Sequence, residues 1–220
     1  YEDAIVDHGG GEGVWGEIFY AALESAAFVE NNQNKLLEIG LAMIPPDCAI
    51  ARGVRHVMEC KKVGKDWKAA REEILKMFVT DDVTNAPINV AFTILGWLYG
   101  DSDFGKALCT AVNCGWDTDC TGATLGSILG IILGKDGIPT EWKEPIGEKI
   151  NTVAIGNFTP PATLTELTNR VAYIARRVLL AYPDYAPLEL SEKPTDVSAL
   201  ASINLLDNSK VKPLWTRSPV

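Results

Sequence analysis

Cys114-Gly115-Trp116-Asp117-Thr118-Asp119-Cys120-Thr121-Gly122-Ala123-Thr124-Leu125-Gly126-Ser127-Ile128-Leu129-Gly130 is the stretch on which the reading turns. It opens as a glycine-led loop with two carboxylates at i and i+2. It then runs into an apolar helix that the pattern carries to Leu133. Glycine recurs every four residues, at 122, 126, 130 and 134, and each costs a helix about 1 kcal/mol relative to alanine. A repeated cost implies a compensating gain. The expected gain is a glycine face that lets a neighbouring helix approach closely and holds the Asp loop against its partners. Thr121 to Leu133 is too short to span a bilayer, so the segment reads as a buried central helix.

Outward from that helix the same helical period returns. Trp15, Ile18, Phe19, Ala22, Leu23, Ala26 and Ala27 fall at i, i+3, i+4 and i+7, which predicts a helix over 14–31. A shorter helix over 35–43 stops before Pro45-Pro46, where the ring removes a donor and clashes with the preceding turn. Asp47 is expected to cap a helix to about Val63, and Asp66 another to Phe78. Helices over 84–99 and 103–113 follow, separated by Gly100-Asp101-Ser102. Beyond the central segment, helices are expected near 141–150 and over 163–181. Strand-type alternation is absent before 185, so the fold class is all-α. From Pro183 the prolines, polar turns and short apolar pairs (Leu188 and Leu190; Ile203, Leu205 and Leu206) predict an extended tail or the start of another domain. The expected organisation is therefore a helical domain over 1–182 and a tail over 183–220.

Composition narrows the function classes. The chain has 20 Lys and Arg against 29 Asp and Glu, a net charge of −9. That balance argues against nucleic acid or an anionic membrane as the main partner, since both select a basic face. No run reaches 18 apolar residues, so no transmembrane helix is expected. Five cysteines at irregular spacing with two histidines form neither a disulfide framework nor a zinc set, and free thiols point to a reducing, cytoplasmic setting. The chain lacks an initiating Met and opens mid-pattern at Tyr1-Glu2-Asp3-Ala4, which reads as a piece of something longer.

The chemistry concentrates in the Asp loop. Two close carboxylates repel unless a cation or proton lies between them, so binding of a hard metal through oxygen is a natural resolution. The Thr118 and Thr121 hydroxyls are candidate further oxygen donors. Magnesium or manganese suits such a set better than zinc, which selects nitrogen and sulfur. The alternative is local: Asp at a helix N-terminus complements the macrodipole and caps free N–H groups.

Gly115-Trp116-Asp117-Thr118-Asp119-Cys120-Thr121-Gly122-Ala123-Thr124-Leu125-Gly126 resembles the C-terminal metal motif of the ADP-ribosylglycohydrolase family, the group that includes dinitrogenase reductase-activating glycohydrolase and the ADP-ribosyl-acceptor hydrolases. The surroundings are similar too: Asp103-Phe104, Ala107-Leu108 and Ala111-Val112-Asn113 precede the motif, and Gly137-Ile138-Pro139-Thr140-Glu141-Trp142 follows it. Upstream, His8 before the small-residue helix and Gly40-Leu41 with Ile44-Pro45 look like the family's middle section. The resemblance covers about residues 1–180.

It implies an orthogonal multi-helix bundle with magnesium, one or two ions, in a central cleft. The implied activity is hydrolysis of the glycosidic bond of an ADP-ribosyl or related ribosyl group, on a protein or a small molecule. Carried over residue by residue, Asp117 and Asp119 become metal ligands. His8 lies near the ribose, and Gly115, Trp116 and Thr118 line the substrate cleft. Cys120 stands where the family usually has Thr or Ser that also binds metal. The family's other acidic motif, Thr-Asp-Asp-Thr, belongs before the middle helices. Thr80-Asp81-Asp82-Val83 is similar but follows them, and reads instead as a helix-start cap near Thr84; the acidic half of the site, with the acid–base carboxylate, would then precede Tyr1.

Two other functions remain open on the sequence: a non-catalytic all-α binding or scaffold module that keeps the fold, and a same-fold hydrolase acting on another glycosyl bond. Glu12, Glu17 and Glu24 are expected to be solvated surface carboxylates, and His56 to share a solvated face with Arg52, Arg55 and Lys61. Trp15, Trp67, Trp97 and Trp142 are expected in the core. Cys114 and Cys120, without histidine support, make no catalytic dyad.

Overall fold

A computed structural model describes residues 1–152, 156–182 and 204–216. Among these residues there are ten α-helices: α1 (Glu2–His8), α2 (Glu12–Ala27), α3 (Gln33–Ala42), α4 (Ala49–Lys62), α5 (Trp67–Met77), α6 (Ala86–Tyr99), α7 (Phe104–Asn113), α8 (Thr118–Gly137), α9 (Thr140–Lys143) and α10 (Leu164–Ala181). One isolated antiparallel bridge, Lys149 to Thr163, is the sole extended pairing described. The fold class is all-α.

The described residues fall into two compact units, one holding residues 1–138 with 204–216, the other holding the described residues from 139 to 182. The expected boundary at 182/183 and the tail over 183–203 lie outside the described residues. Within the first unit, residues 204–216 close the end of α3. Asn208 Nδ2 donates to the Ala42 carbonyl at 2.8 Å and Trp215 Nε1 to the Met43 carbonyl at 3.1 Å, supplying donors that a helix C-terminus lacks.

The first unit is built around α6. Every residue of α6 except Ala86 and Asn89 is buried, as a helix apolar on all sides must be. Helices α2, α4, α5, α7 and α8 pack around it. This corrects the expectation of a central α8, which buries only Thr121, Leu125, Ile128 and Leu129. Beyond Gly122, where an added Cβ would press on the Val112 side chain at 3.2 Å, the glycines of α8 are not a close-packing face either. A Cβ added at Gly126 or Gly130 would meet ordinary contacts at 4.0 and 3.9 Å, and Gly134 has φ +66° and breaks the helix. Close approach occurs instead where α6 crosses α7. A Cβ at Gly96 would lie 2.4 Å from Ala111 Cβ, and one at Gly100 2.5 Å from Ala107 Cβ.

Local capping explains most helix starts. The side chains of Asn32, Asp66, Asn85 and Asp103 each accept an N–H from the first turn they precede. Asp47 does not cap α4. Cys48 occupies that position, and the Glu12 carboxylate from α2 accepts the N–H groups of Ala49 and Ile50 at 2.8 and 3.0 Å. Asp82 likewise does not cap α6: it closes a turn by accepting from the N–H and hydroxyl of Thr84. The helix expected over 141–150 is confined to α9, since Pro145 lacks a donor and Gly147 turns left-handed at φ +68°. Trp97 is buried, and Trp15 and Trp67 pack half-buried against the core. Helix α1 was not foreseen.

Candidate functional site

The loop between α7 and α8 is held from below by two residues of the framework. Gly115 at φ +79° and Trp116 at φ +65° are consecutive left-handed residues; for a tryptophan such a conformation costs roughly 1–2 kcal/mol, so neighbouring contacts must hold it. Arg71 of α5 donates from Nε to the Cys114 carbonyl at 2.7 Å, and its guanidinium lies 5.7 Å above the Phe92 ring. Asn89, one of the two α6 residues that are not buried, accepts the Asp117 N–H on Oδ1 at 3.1 Å. Its Nδ2 donates to the carbonyls of Val83 and Asn85 at 2.8 and 3.1 Å, which fixes which end faces the loop. Trp116 packs half-buried against the core, so the turn is anchored on both sides.

Asp117 occupies the N-cap position of α8, yet its side chain makes no capping hydrogen bond. That observation weighs against the purely local reading of the pair. The Asp117 carboxylate, the Asp119 carboxylate and Cys120 Sγ each offer an atom within 4.8 Å of the others. Asp117 and Thr118 are half-buried, and Asp119 and Cys120 are exposed, so the group faces solvent at the first turn of the helix. The Cys120 thiol hydrogen-bonds the Asp117 carboxylate, and this, with burial and the charges of Asp117 and Asp119, raises its pKa. Thr121 is buried, and its hydroxyl donates to the Thr118 carbonyl at 3.2 Å, which leaves the oxygen lone pairs unused. The chain's own donor set fits a hard cation in chemistry, since two carboxylate oxygens converge where magnesium takes about six oxygen ligands.

The remaining candidates lie elsewhere. His8 ends α1, and its Nε2 is 3.0 Å from Glu17 Oε2; among the described residues no hydrogen bond or ion pair joins it to loop 115–119. Glu17 also neighbours Asp3 and Asp7. The three glutamates are not simply solvated: Glu12 caps α4, Glu17 pairs with His8, and half-burial pushes the Glu24 carboxyl up. His56 is not on a free solvated face, since its Nε2 is 2.9 Å from Glu73 Oε2. Burial drives the Cys114 thiol up to about 12 against the opposing pull of Arg71, which leaves it inert as a nucleophile. A groove of about 750 Å³ lies along Thr163 and the face of α10 that carries Glu166, Arg170 and Tyr173, and contains none of these candidates.

Sequence reasoning missed Arg71 and Asn89. Asn89 left a signal, one amide in an otherwise apolar helix; Arg71 left none, because its partner is 43 residues away. The sequence model of the ADP-ribosylglycohydrolase family matches residues 1–178. No match was found among curated proteins or among solved structures.

Proposed function

The chain belongs to the ADP-ribosylglycohydrolase family, and from that premise we propose that it takes part in magnesium-dependent hydrolysis of the glycosidic bond of an ADP-ribosyl or related ribosyl group. Manganese is the alternative ion, and the substrate is an ADP-ribosylated protein or a small ADP-ribosyl or ribosyl compound. The observation that carries the reading is the Asp117 carboxylate, which sits in a capping position without capping and converges on Asp119.

In this reading Asp117 and Asp119 hold the cation. When bound, the metal supplies Lewis acidity and a fixed point for sugar hydroxyls. Cys120 orients Asp117 by donating its thiol proton in a hydrogen bond. Arg71 and Asn89 keep the loop backbone in one conformation, so the carboxylates need not reorganise on binding. Gly115, Trp116 and Thr118 line the substrate side of the loop, and Trp116 offers a ring face to a base or sugar. His8 is the proposed ribose contact and must exchange its bond to Glu17 for one to substrate.

The test is release of free ADP-ribose from an ADP-ribosylated protein and from small ADP-ribosides in magnesium, assayed with this chain and with one extended upstream of Tyr1. Asp119→Ala is expected to abolish release and magnesium binding while leaving the helical circular dichroism unchanged. Turnover surviving that change would remove the metal assignment. A second reading, a non-catalytic module that binds a nucleotide-sugar, is favoured by Cys120 standing where the family usually has a Thr or Ser hydroxyl; ADP-ribose binding without release in either form would select it.

A further inference from the structure

We propose that His56, Cys60 and Glu73 form a second metal site, for a borderline cation of the zinc class, between α4 and α5. His56 and Cys60 are four residues apart on α4 and so share a face. Glu73 comes from the middle of α5, which packs against α4. Their ligand atoms converge: His56 Nε2 to Glu73 Oε2 is 2.9 Å, Cys60 Sγ to His56 Nε2 is 3.5 Å, and Cys60 Sγ to Glu73 Oε2 is 3.5 Å. With zinc–nitrogen and zinc–oxygen distances near 2.0 Å and zinc–sulfur near 2.3 Å, tetrahedral ligand atoms stand roughly 3.3–3.5 Å apart. Two of the three separations match, and the third needs a small opening.

The arrangement is not a nucleophile relay. A relay uses the two ring nitrogens of histidine for two different partners, one for the nucleophile and one for the orienting acid. Here Cys60 and Glu73 both meet the same nitrogen, Nε2. Three donors aimed at one point suit an ion between them.

An independent observation marks the same place. The Tyr99 hydroxyl of α6 is the one described buried side-chain polar atom without a hydrogen-bond partner. Tyr99 lies on α6 where α4 and α5 pack against it, with the Lys61 ammonium 4.7 Å from its ring centroid, and Cys60, Asp66 and Glu73 act on its hydroxyl electrostatically. An orphaned buried hydroxyl is unfavourable, and in this proposal a water completing the coordination is its partner.

The charges close as well. A thiolate and a carboxylate neutralise a divalent cation, with His56 neutral and binding through Nε2; the Cys60 proton leaves to solvent on binding. Lys65, whose ammonium now pairs with Glu73 at 2.6 and 2.7 Å, is partly exposed and free to turn outward or stay on the other carboxylate oxygen. The soft sulfur excludes magnesium here, so this site and the Asp117 loop sort different metals.

Cobalt(II) is the probe, because thiolate ligation gives a near-ultraviolet charge-transfer band and tetrahedral geometry gives strong visible bands. Titration of the full chain, metal-free at the start, is expected to show both bands at one equivalent, with displacement by zinc and a rise in melting temperature. Cys60→Ala is expected to remove the charge-transfer band, and Cys120→Ser to keep it. Because an altered core cysteine can compromise folding, Glu73→Gln and His56→Gln keep the thiol, and each should weaken zinc binding at least about tenfold. Absence of the band in the folded chain, its persistence in Cys60→Ala, its loss in Cys120→Ser, or unchanged zinc affinity in Glu73→Gln would overturn the site. None of these readouts depends on Asp117, Asp119 or turnover, so failure here leaves the proposed glycohydrolase reading standing.

Discussion

Helix α7 presents two faces, and glycine means something different against each. Toward α6 it shows Ala107 and Ala111, and there Gly96 and Gly100 bring the backbones so close that a single added carbon would overlap at 2.4 and 2.5 Å. Toward α8 it shows Leu108 and Val112; there Gly126 leaves room, with an added carbon at 4.0 Å, and at Gly122 the contact is tight, at 3.2 Å, but only with the end of the Val112 side chain. The four-residue spacing of glycine is the same on both helices. What differs is the size of the facing residue, and that size decides whether a glycine is a steric necessity. The α6–α7 seam therefore has no space for a further carbon at either glycine, while α8 carries the acidic first turn and tolerates a more open face.

The sharpest way to break this contrast is a matched pair of substitutions. Gly96→Ala must push α7 away at backbone as well as side-chain atoms and is expected to cost about 3 kcal/mol. Gly126→Ala gains helix propensity in free space and should stabilise by up to about 1 kcal/mol. Urea unfolding of both variants measures the difference, and equal losses would mean that α8 packs as tightly as α6.

Asn89 joins the two regions, since it is rooted in α6 and holds Asp117. Asn89→Ala leaves the Asp117 N–H without its acceptor and the Val83 carbonyl without its side-chain donor, while Asn85 keeps the backbone N–H of residue 89, an expected loss of about 1–3 kcal/mol. It should also weaken magnesium binding, which calorimetry reads separately from unfolding. Smaller again is Glu12→Ala, which strips the α4 N-terminus of its borrowed cap and should cost about 1 kcal/mol in the same urea assay without touching metal affinity.

The smallest expected effect is electrostatic. Asp101 is bridged by Lys106 and Lys61, which hold its carboxyl at about 2 against an ordinary 3.8. A depressed acid contributes stability that is fully present above the unfolded value and is lost as pH falls through the folded one. Melting temperature should therefore fall between pH 4 and pH 2 a little less steeply in Asp101→Asn than in the parent, an effect kept slight by solvent exposure.

The helices were largely legible because amphipathic period and polar caps are local properties. Asp66 and Asp103 announce α5 and α7 from within the chain segment they start. The centre of the bundle was misplaced because the glycine repeat drew attention to α8, although the nearly all-apolar sequence of α6 is itself the mark of a buried helix. At the site, the Asp117 and Asp119 pair could be read from the motif. The residues that hold its loop could not, since they lie 43 and 28 residues away in sequence. Nor could the partner that caps α4, 37 residues upstream.

The measurement closest to the central claim is manganese binding to the folded chain, followed by calorimetry and by loss of the free-ion electron paramagnetic signal. The account predicts that the parent chain binds, that Asp119→Asn does not, and that the two share one helical spectrum. Unchanged binding in Asp119→Asn, or no binding by the folded parent, would contradict it.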